Sequence, residues 1–276
     1  MVHMTGINRY YSPDNLYDRI LDGLARLGRE PTCVSLDDLQ SVDEFHIRGS
    51  FATFELIELA EFDEGMHVLD IGCGVGGASR RLASEAECRV TGVDLSTEYI
   101  RTAQSLTTLL DMDEQLDFHT GDALNLPFEN NAFDGAWSIQ VNMNIERKLD
   151  WLKEVYRVLK PGARFVLYEV CAGRGGSIHL PVPWAQDETM SYLVSQLEFQ
   201  KAIVEAGFGI ETWEDKTADA IQAFGHRPLP EKNTALPPLG VHLLVGDDIL
   251  TKAYNLHQNF EEQRVTLLQA VVYINK

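Results

Sequence analysis

Two hydrophobic periods divide the chain. Up to residue 62 the apolar positions recur every three or four residues, which predicts helices. Leu16, Ile20, Leu24 and Leu27 run at that spacing to Gly28, and Ser12-Pro13 reads as the helix start. Ser35-Leu36-Asp37-Asp38 opens a short second helix, and 49–61 carries a third with Phe51, Phe54, Ile57 and Leu59 apolar. From Met66 onward short strand-like runs alternate with helical ones, the pattern of an α/β fold with a parallel sheet. The predicted strands are 67–71, 89–95, 116–120, 133–139 and 163–170. Helices are predicted from Ser96 to Leu110 and over 146–159, the latter with Leu149, Leu152, Val155, Tyr156 and Leu159 on one side and stopped by Lys160-Pro161-Gly162.

The pattern loosens after residue 172. A glycine- and proline-containing loop spans 173–190, and Ser195-x-x-Glu198 is a capping box opening a helix that ends at Gly207. Strand six is predicted over 208–214, an extended stretch with four prolines over 227–239, a helix over 246–263 and a final strand over 265–274. That makes seven strands, with a long excursion before the last.

Composition narrows the partners. The chain has 276 residues, 45% of them hydrophobic, and can bury a full core. A net charge of −19 argues against nucleic acid and against an anionic membrane surface. Cys33, Cys73, Cys88 and Cys171 are scattered without ligand spacing, so free thiols and no metal site are expected. Neither a signal pattern nor a membrane-length apolar run is visible, which points to a cytoplasmic protein.

The candidate chemistry gathers at strand ends. Strand one runs into Asp70-Ile71-Gly72-Cys73-Gly74-Val75-Gly76-Gly77, with four glycines in six positions. Glycines at Gly72, Gly74 and Gly76 let a ligand approach the backbone without a Cβ in the way. The stretch fits both G-x-G-x-x-G and D-x-G-x-G-x-G, and the first alone is weak evidence for any one ligand. Asp94, closing strand two, is placed to accept two ribose hydroxyls, a feature that dinucleotide sites share. Asp122 can accept from an adenine amino group while the Ala123 N–H meets a ring nitrogen. Leu95 and Ser138 complete the cofactor-binding candidates with Asp70. The handedness of βαβ units puts the loops after strands one to five at one edge of the sheet.

In order and at these intervals, D-x-G-x-G-x-G, V-D-L-S, G-D-A-x-x-L-P-F, F-D and V-L-K-P-G resemble the motif series of class I S-adenosylmethionine-dependent methyltransferases, over about Met66 to Val170. The resemblance implies a Rossmann-like, mostly parallel seven-stranded sheet with an antiparallel last strand, and S-adenosylmethionine as cofactor. It leaves a dinucleotide oxidoreductase as the runner-up and a non-catalytic cofactor-binding regulator as a further alternative. Tyr10-Tyr11, Asp43-x-Phe45-His46-x-Arg48-Gly49, Pro181-Val182-Pro183-Trp184-Ala185 and Pro237-Pro238-Leu239-Gly240-Val241-His242 resemble the sarcosine/dimethylglycine N-methyltransferase-like group. Gln140-Val141-Asn142-Met143-Asn144 departs from relatives that carry an acid or a histidine after strand four.

The implied acceptor is a small molecule, in the first place an amine such as a glycine derivative, with a quinone-, aromatic- or lipid-like compound as the alternative. His46 is a candidate base and Gln140 a candidate catalytic hydrogen-bonder. Tyr11, Asn142, Trp184 and His242 are candidate acceptor contacts, Tyr11 and Trp184 as π faces for a methylated ammonium. Glu169 faces either the same pocket or solvent. The expected organisation is a helical lid or packing layer over 1–62 and a catalytic domain over 63–276, with the 215–264 excursion as a cap.

Overall fold

The computed structural model describes residues 6–7, 9–11, 13–226 and 234–275. Its strands β1 (His67–Ile71), β2 (Arg89–Asp94), β3 (Leu116–Thr120), β4 (Phe133–Ile139), β5 (Leu159–Ala172), β6 (Gly209–Asp215) and β7 (Val265–Tyr273) form one seven-stranded sheet in the order β3-β2-β1-β4-β5-β7-β6. β1–β2, β2–β3 and β4–β5 pair in parallel, whereas β7 runs antiparallel to both β5 and β6. The antiparallel last strand is thus inserted between its neighbours, as the resemblance implied.

Among the described residues the helices of eight residues or more are α1 (Leu16–Arg26), α2 (Leu36–Asp43), α3 (Ser50–Ala60), α4 (Gly77–Ala86), α5 (Thr97–Leu109), α6 (Lys148–Val158), α7 (Gln196–Glu205), α8 (Thr217–His226) and α9 (Ile249–Glu261). Contacts divide the chain into two compact units, Met1–Ala123 with Ala235–Asp247, and Leu124–Thr234 with Asp248–Lys276.

In the first unit, α1 begins later than the proline suggested. Ser12 lies outside the described residues, and the helix starts behind Asn15, whose φ of 52° is left-handed. Leu16, Ile20 and Leu24 are buried, but Leu27 is 54% exposed. The helix packs on the 235–247 segment at Gly23, where a Cβ would come within 2.6 Å of the Pro238 carbonyl oxygen. The proline-rich stretch is therefore partly packed, although residues 227–233 lie outside the described residues. α2 carries a Ser35/Asp38 capping box. On α3 the inward face is Ala52, Thr53, Leu56 and Ala60, while Phe51 is 80% and Phe54 42% exposed. The two aromatic residues among the apolar positions read from the sequence lie on its outer face.

In the second unit, α6 presents Lys148, Trp151, Leu152, Val155 and Val158 inward, a face rotated from the expected one. Trp151 stacks on Phe199 of α7 with ring centroids 6.1 Å apart. β5 starts at Leu159, so Lys160-Pro161-Gly162 is not the stop before a strand but an irregularity inside it. There the β4 register slips between Phe133 and Gly135, Gly162 takes a φ of 83°, and its N–H bonds to the Ile274 carbonyl. α8 is a helix that hydrophobic spacing did not single out. Thr217 N–H bonds to Asp215, and the Thr217 hydroxyl accepts from the Leu267 N–H.

Candidate functional site

In the first unit the candidate residues converge where β1, β2 and β3 end. The turn after β1 needs left-handed backbone at three alternate positions, with φ of 72° at Gly72, 56° at Gly74 and 79° at Gly76, and L-residues adopt this region at a cost of about 1–2 kcal/mol. The N–H groups of Gly72 and Cys73 both reach the Val93 carbonyl, so the turn is tied to β2. A Cβ on Gly76 would lie 2.7 Å from Phe118 and 2.9 Å from Arg80, so this glycine is required by packing. Gly74 differs, because a Cβ there meets nothing within 4 Å. It borders open space beside the loop.

Asp94 faces that loop. Its Oδ2 accepts from the Gly74 N–H (3.0 Å) and its Oδ1 from the Ser96 N–H (2.8 Å), with the Leu95 N–H a further donor. Burial raises the carboxyl above its ordinary range, and these amides oppose that shift. A carboxylate has about four lone-pair sites. Backbone amides therefore orient Asp94 without exhausting what a vicinal diol can use. Thr120 registers with Asp94, and the Gly121 N–H bonds to the Asp94 carbonyl (2.9 Å). Half-buried Asp122 and Ala123 thus follow directly at the same strand edge. Asp70 stands behind the loop, 3% exposed, accepting the Ser79 hydroxyl at 2.5 Å and joining β1 to α4. A cradle open at Gly74 beside a pre-oriented acid fits an adenosyl cofactor.

Tyr11 belongs to this cluster. Its carbonyl accepts the Ser96 hydroxyl (2.6 Å), and its ring meets Tyr99 edge-on at 5.8 Å. Burial, followed by Tyr10 and Asp94, pushes its phenol well above the ordinary value. His46 is held otherwise. Its Nε2 lies 3.1 Å from the Gly49 carbonyl and 3.1 Å from the Thr53 hydroxyl, which donates to Glu44. Burial lowers its pKa to about 4, so at neutral pH the ring is uncharged and bound into the start of α3. His242, 7% exposed, opens on a groove of about 600 Å³ between α1 and the 235–247 segment, lined also by Asp18, Arg19, Asp22, Pro237 and Asp247. Burial lowers its pKa too.

The second unit holds the other candidates, several of them turned inward. Ser138 is fully buried, and its hydroxyl donates to Glu169 (2.7 Å), so the side chain is committed within the core. Trp184 is 2% exposed, its indole N–H donates to Ser191, and its carbonyl accepts from Asn144. The expectation of an open π face there gives way to packing. Gln140 takes a left-handed φ of 56° as β4 ends. Asn142 is fully buried, its N–H donating to Glu169. Glu169 itself faces neither solvent nor an open pocket; it is enclosed by this loop. Lys148, which the expected face of α6 omitted, is buried alongside. One signal for both was available: a charged residue inside an otherwise apolar strand or helix face is paired when buried.

Among the described residues no helix is long and apolar enough to cross a membrane, and no group of three His, Cys, Asp or Glu side chains is placed to hold a metal.

A family model described as a methyltransferase domain matches residues 69–167. The chain is 29% identical over 182 residues to 24-methylenesterol C-methyltransferase 2 of Arabidopsis thaliana, covering 66% of this chain and 47% of that protein. It spans about half the length of that curated relative. Among solved structures, geranyl diphosphate methyltransferase in complex with GPP and sinefungin is similar at a TM-score of 0.74 and 17% identity, over 99% of both chains. Phosphoethanolamine N-methyltransferase 2 of Haemonchus contortus, in complex with phosphomonomethylethanolamine and S-adenosylhomocysteine, gives a TM-score of 0.72 at 22% identity, over 93% of this chain and 61% of that one. At these identities the structural likeness establishes the fold.

Proposed function

We propose that this chain, which carries a class I S-adenosylmethionine-dependent methyltransferase domain, moves a methyl group from that cofactor to a small-molecule acceptor. The observation that carries the proposal is the open side of Gly74 beside Asp94, whose carboxylate is already oriented by three backbone amides. Asp94 would hold the ribose diol, the glycine turn the methionine part, and Asp122 with Ala123 the adenine. S-adenosylmethionine supplies a sulfonium methyl that a nucleophile displaces, and the protein's tasks are alignment and exclusion of water. Tyr11, close enough for the Asp94 charge to act on its phenol, serves in this reading as the cover over the ribose side.

Two acceptor classes remain in view, and the observations favour the less polar one. A cation-binding cage loses one wall with Trp184 buried, and neutral His46 is engaged by Gly49 and Thr53. The relative named above is a sterol C-methyltransferase, and one structural neighbour a geranyl diphosphate methyltransferase. We therefore place an apolar ring or prenyl-like acceptor first and a small amine second. Incubation with isotopically labelled S-adenosylmethionine tests both. One acceptor set contains glycine, sarcosine and phosphoethanolamine; the other contains sterols and prenyl diphosphates. Label transfer within the amine set alone would reverse the order, and no binding of S-adenosylhomocysteine at all would remove the proposal.

A further inference from the structure

The loop after β4 is gripped by opposite charges on the two sides of one residue. The Asn142 N–H donates to Glu169 Oε2 (2.9 Å), and the Asn142 carbonyl accepts from Lys148 Nζ (2.5 Å). Glu169 also takes the Val141 N–H (2.9 Å) and the Ser138 hydroxyl (2.7 Å). Lys148 also donates to the carbonyls of Ile145 and Tyr192, which uses its three hydrogens. The acid thus collects amide hydrogens and the ammonium collects carbonyls of the same short segment. Glu169 is fully buried and Lys148 is 7% exposed.

Burying two charges is expensive, and apolar residues of similar volume often fill such a space at no loss of stability. The segment they hold is itself unusual. It begins at Gln140, in left-handed backbone with its N–H on the Tyr168 carbonyl. Gln140 Nε2 and Asn142 Oδ1 are buried without a hydrogen-bond partner, and native structures leave few such atoms unexplained. They are polar groups that a bound molecule can satisfy.

We propose that Glu169 and Lys148 are positioning residues that clamp the 140–145 loop and thereby set Gln140 and Asn142 for the acceptor end of the reaction. That purpose rests on the methyl-transfer reading; the clamp does not. The grip depends on charge. Burial pushes the Glu169 carboxyl up to about 7, against its hydrogen bonds and Lys148, and pushes Lys148 down to about 8, against Glu169 and Cys171. Facing Glu169 are Ser138 from β4, Lys148 from α6 and the apolar register partner Leu268 from β7; Cys171, on its own strand, is in turn influenced by Asp215 of β6. As pH falls through neutrality Glu169 takes up a proton and one oxygen becomes a donor, so either the Ser138 contact reverses or the amide contacts on the other oxygen weaken.

Backbone amide resonances of the full-length, isotope-labelled protein read this directly. The Val141 and Asn142 amides are expected to shift together through one midpoint near neutrality, and Glu169→Gln to abolish that titration. Lys148→Met removes the cation that favours the carboxylate, so the midpoint should rise by about one unit, and Lys148→Arg should restore it. Amides that fail to titrate between about pH 5 and 9, or a midpoint unmoved by Lys148→Met, overturn the clamp. Should Lys148→Met not fold, Glu169→Gln and Lys148→Arg decide it. With the acceptor panel above, Glu169→Gln should lower kcat and leave the KM for S-adenosylmethionine within about twofold; an unchanged kcat overturns the positioning role. If the wild type neither binds S-adenosylhomocysteine nor turns over, methyl transfer is the reading that fails, and the titration still decides the clamp.

Discussion

Gly74 and Gly76 sit two residues apart in the same turn, yet they should respond differently to a single methyl group. Gly74→Ala places a Cβ in open space, so its cost to stability is the left-handed backbone alone, about 1–2 kcal/mol, while S-adenosylhomocysteine binding should fall by tenfold or more. Gly76→Ala drives a Cβ to 2.7 Å from Phe118 and should cost distinctly more stability. Urea unfolding paired with calorimetric titration separates the two, and equal losses of stability would contradict the packing role of Gly76. Asp94→Ala removes the proposed ribose acceptor and should weaken S-adenosylhomocysteine by about 1.5–3 kcal/mol, with an unchanged affinity placing the ribose elsewhere. Glycine spacing made the turn legible in the sequence. It did not distinguish the glycine that faces open space from the one pressed on an aromatic ring, because that depends on Phe118, more than forty positions away.

At the scale of elements, α3 shows where sequence pattern is sufficient and where it is not. Its bounds followed from Gly49 and the apolar run, but its core face did not, because Phe51 and Phe54 outweigh Ala52 and Ala60 in any hydrophobicity count while facing outward. The helix start depends on the buried His46, Thr53 and Glu44 contacts. This arrangement has a pH signature. The folded pKa of His46 is lowered to about 4 from 6.5, so the unfolded chain binds more protons between those values, and the contribution is fully present above 6.5 and lost as pH falls toward 4. At 1.36 kcal/mol per unit this amounts to about 3 kcal/mol. The stability difference between wild type and His46→Gln, from urea midpoints, should therefore shrink between pH 7 and 4.5; a constant difference would mean that folding does not displace the His46 pKa. α6 offers the complementary case. Its period was readable, but the face was displaced by one position because Lys148 lies on the buried side, with its charge met by three carbonyls.

For the whole molecule, strand number and order of appearance were legible in the alternating short apolar runs, whereas the inserted antiparallel last strand was implied by the resemblance that the motif series carries. Acceptor contacts were less so: which of Tyr11, Trp184 and His242 meets a ligand depends on packing that residue type does not encode. Ligand linkage tests the whole assembly. S-adenosylhomocysteine at 100 times its dissociation constant should stabilise the fold by about 2.7 kcal/mol, and NAD should leave the melting temperature unchanged. The reverse pattern would favour a dinucleotide enzyme.

Arg80 carries a consequence for inheritance. Buried to 0% exposure, it holds the Val75 carbonyl of the glycine turn (2.9 Å) with one nitrogen and Asp43 of α2 (2.7 Å) with the other. A Cβ on its neighbour Gly77 would lie 2.3 Å from that of Asp43. The helical segment ahead of the sheet is therefore keyed to the turn through Asp43 on one side and Gly77 with Arg80, more than thirty positions later, on the other. A recombinant that took its first sixty residues from one parent and the remainder from another would inherit a working turn only if positions 43, 77 and 80 came across as a matched set. Substitutions at any of the three should accordingly be found to compensate one another rather than to drift alone.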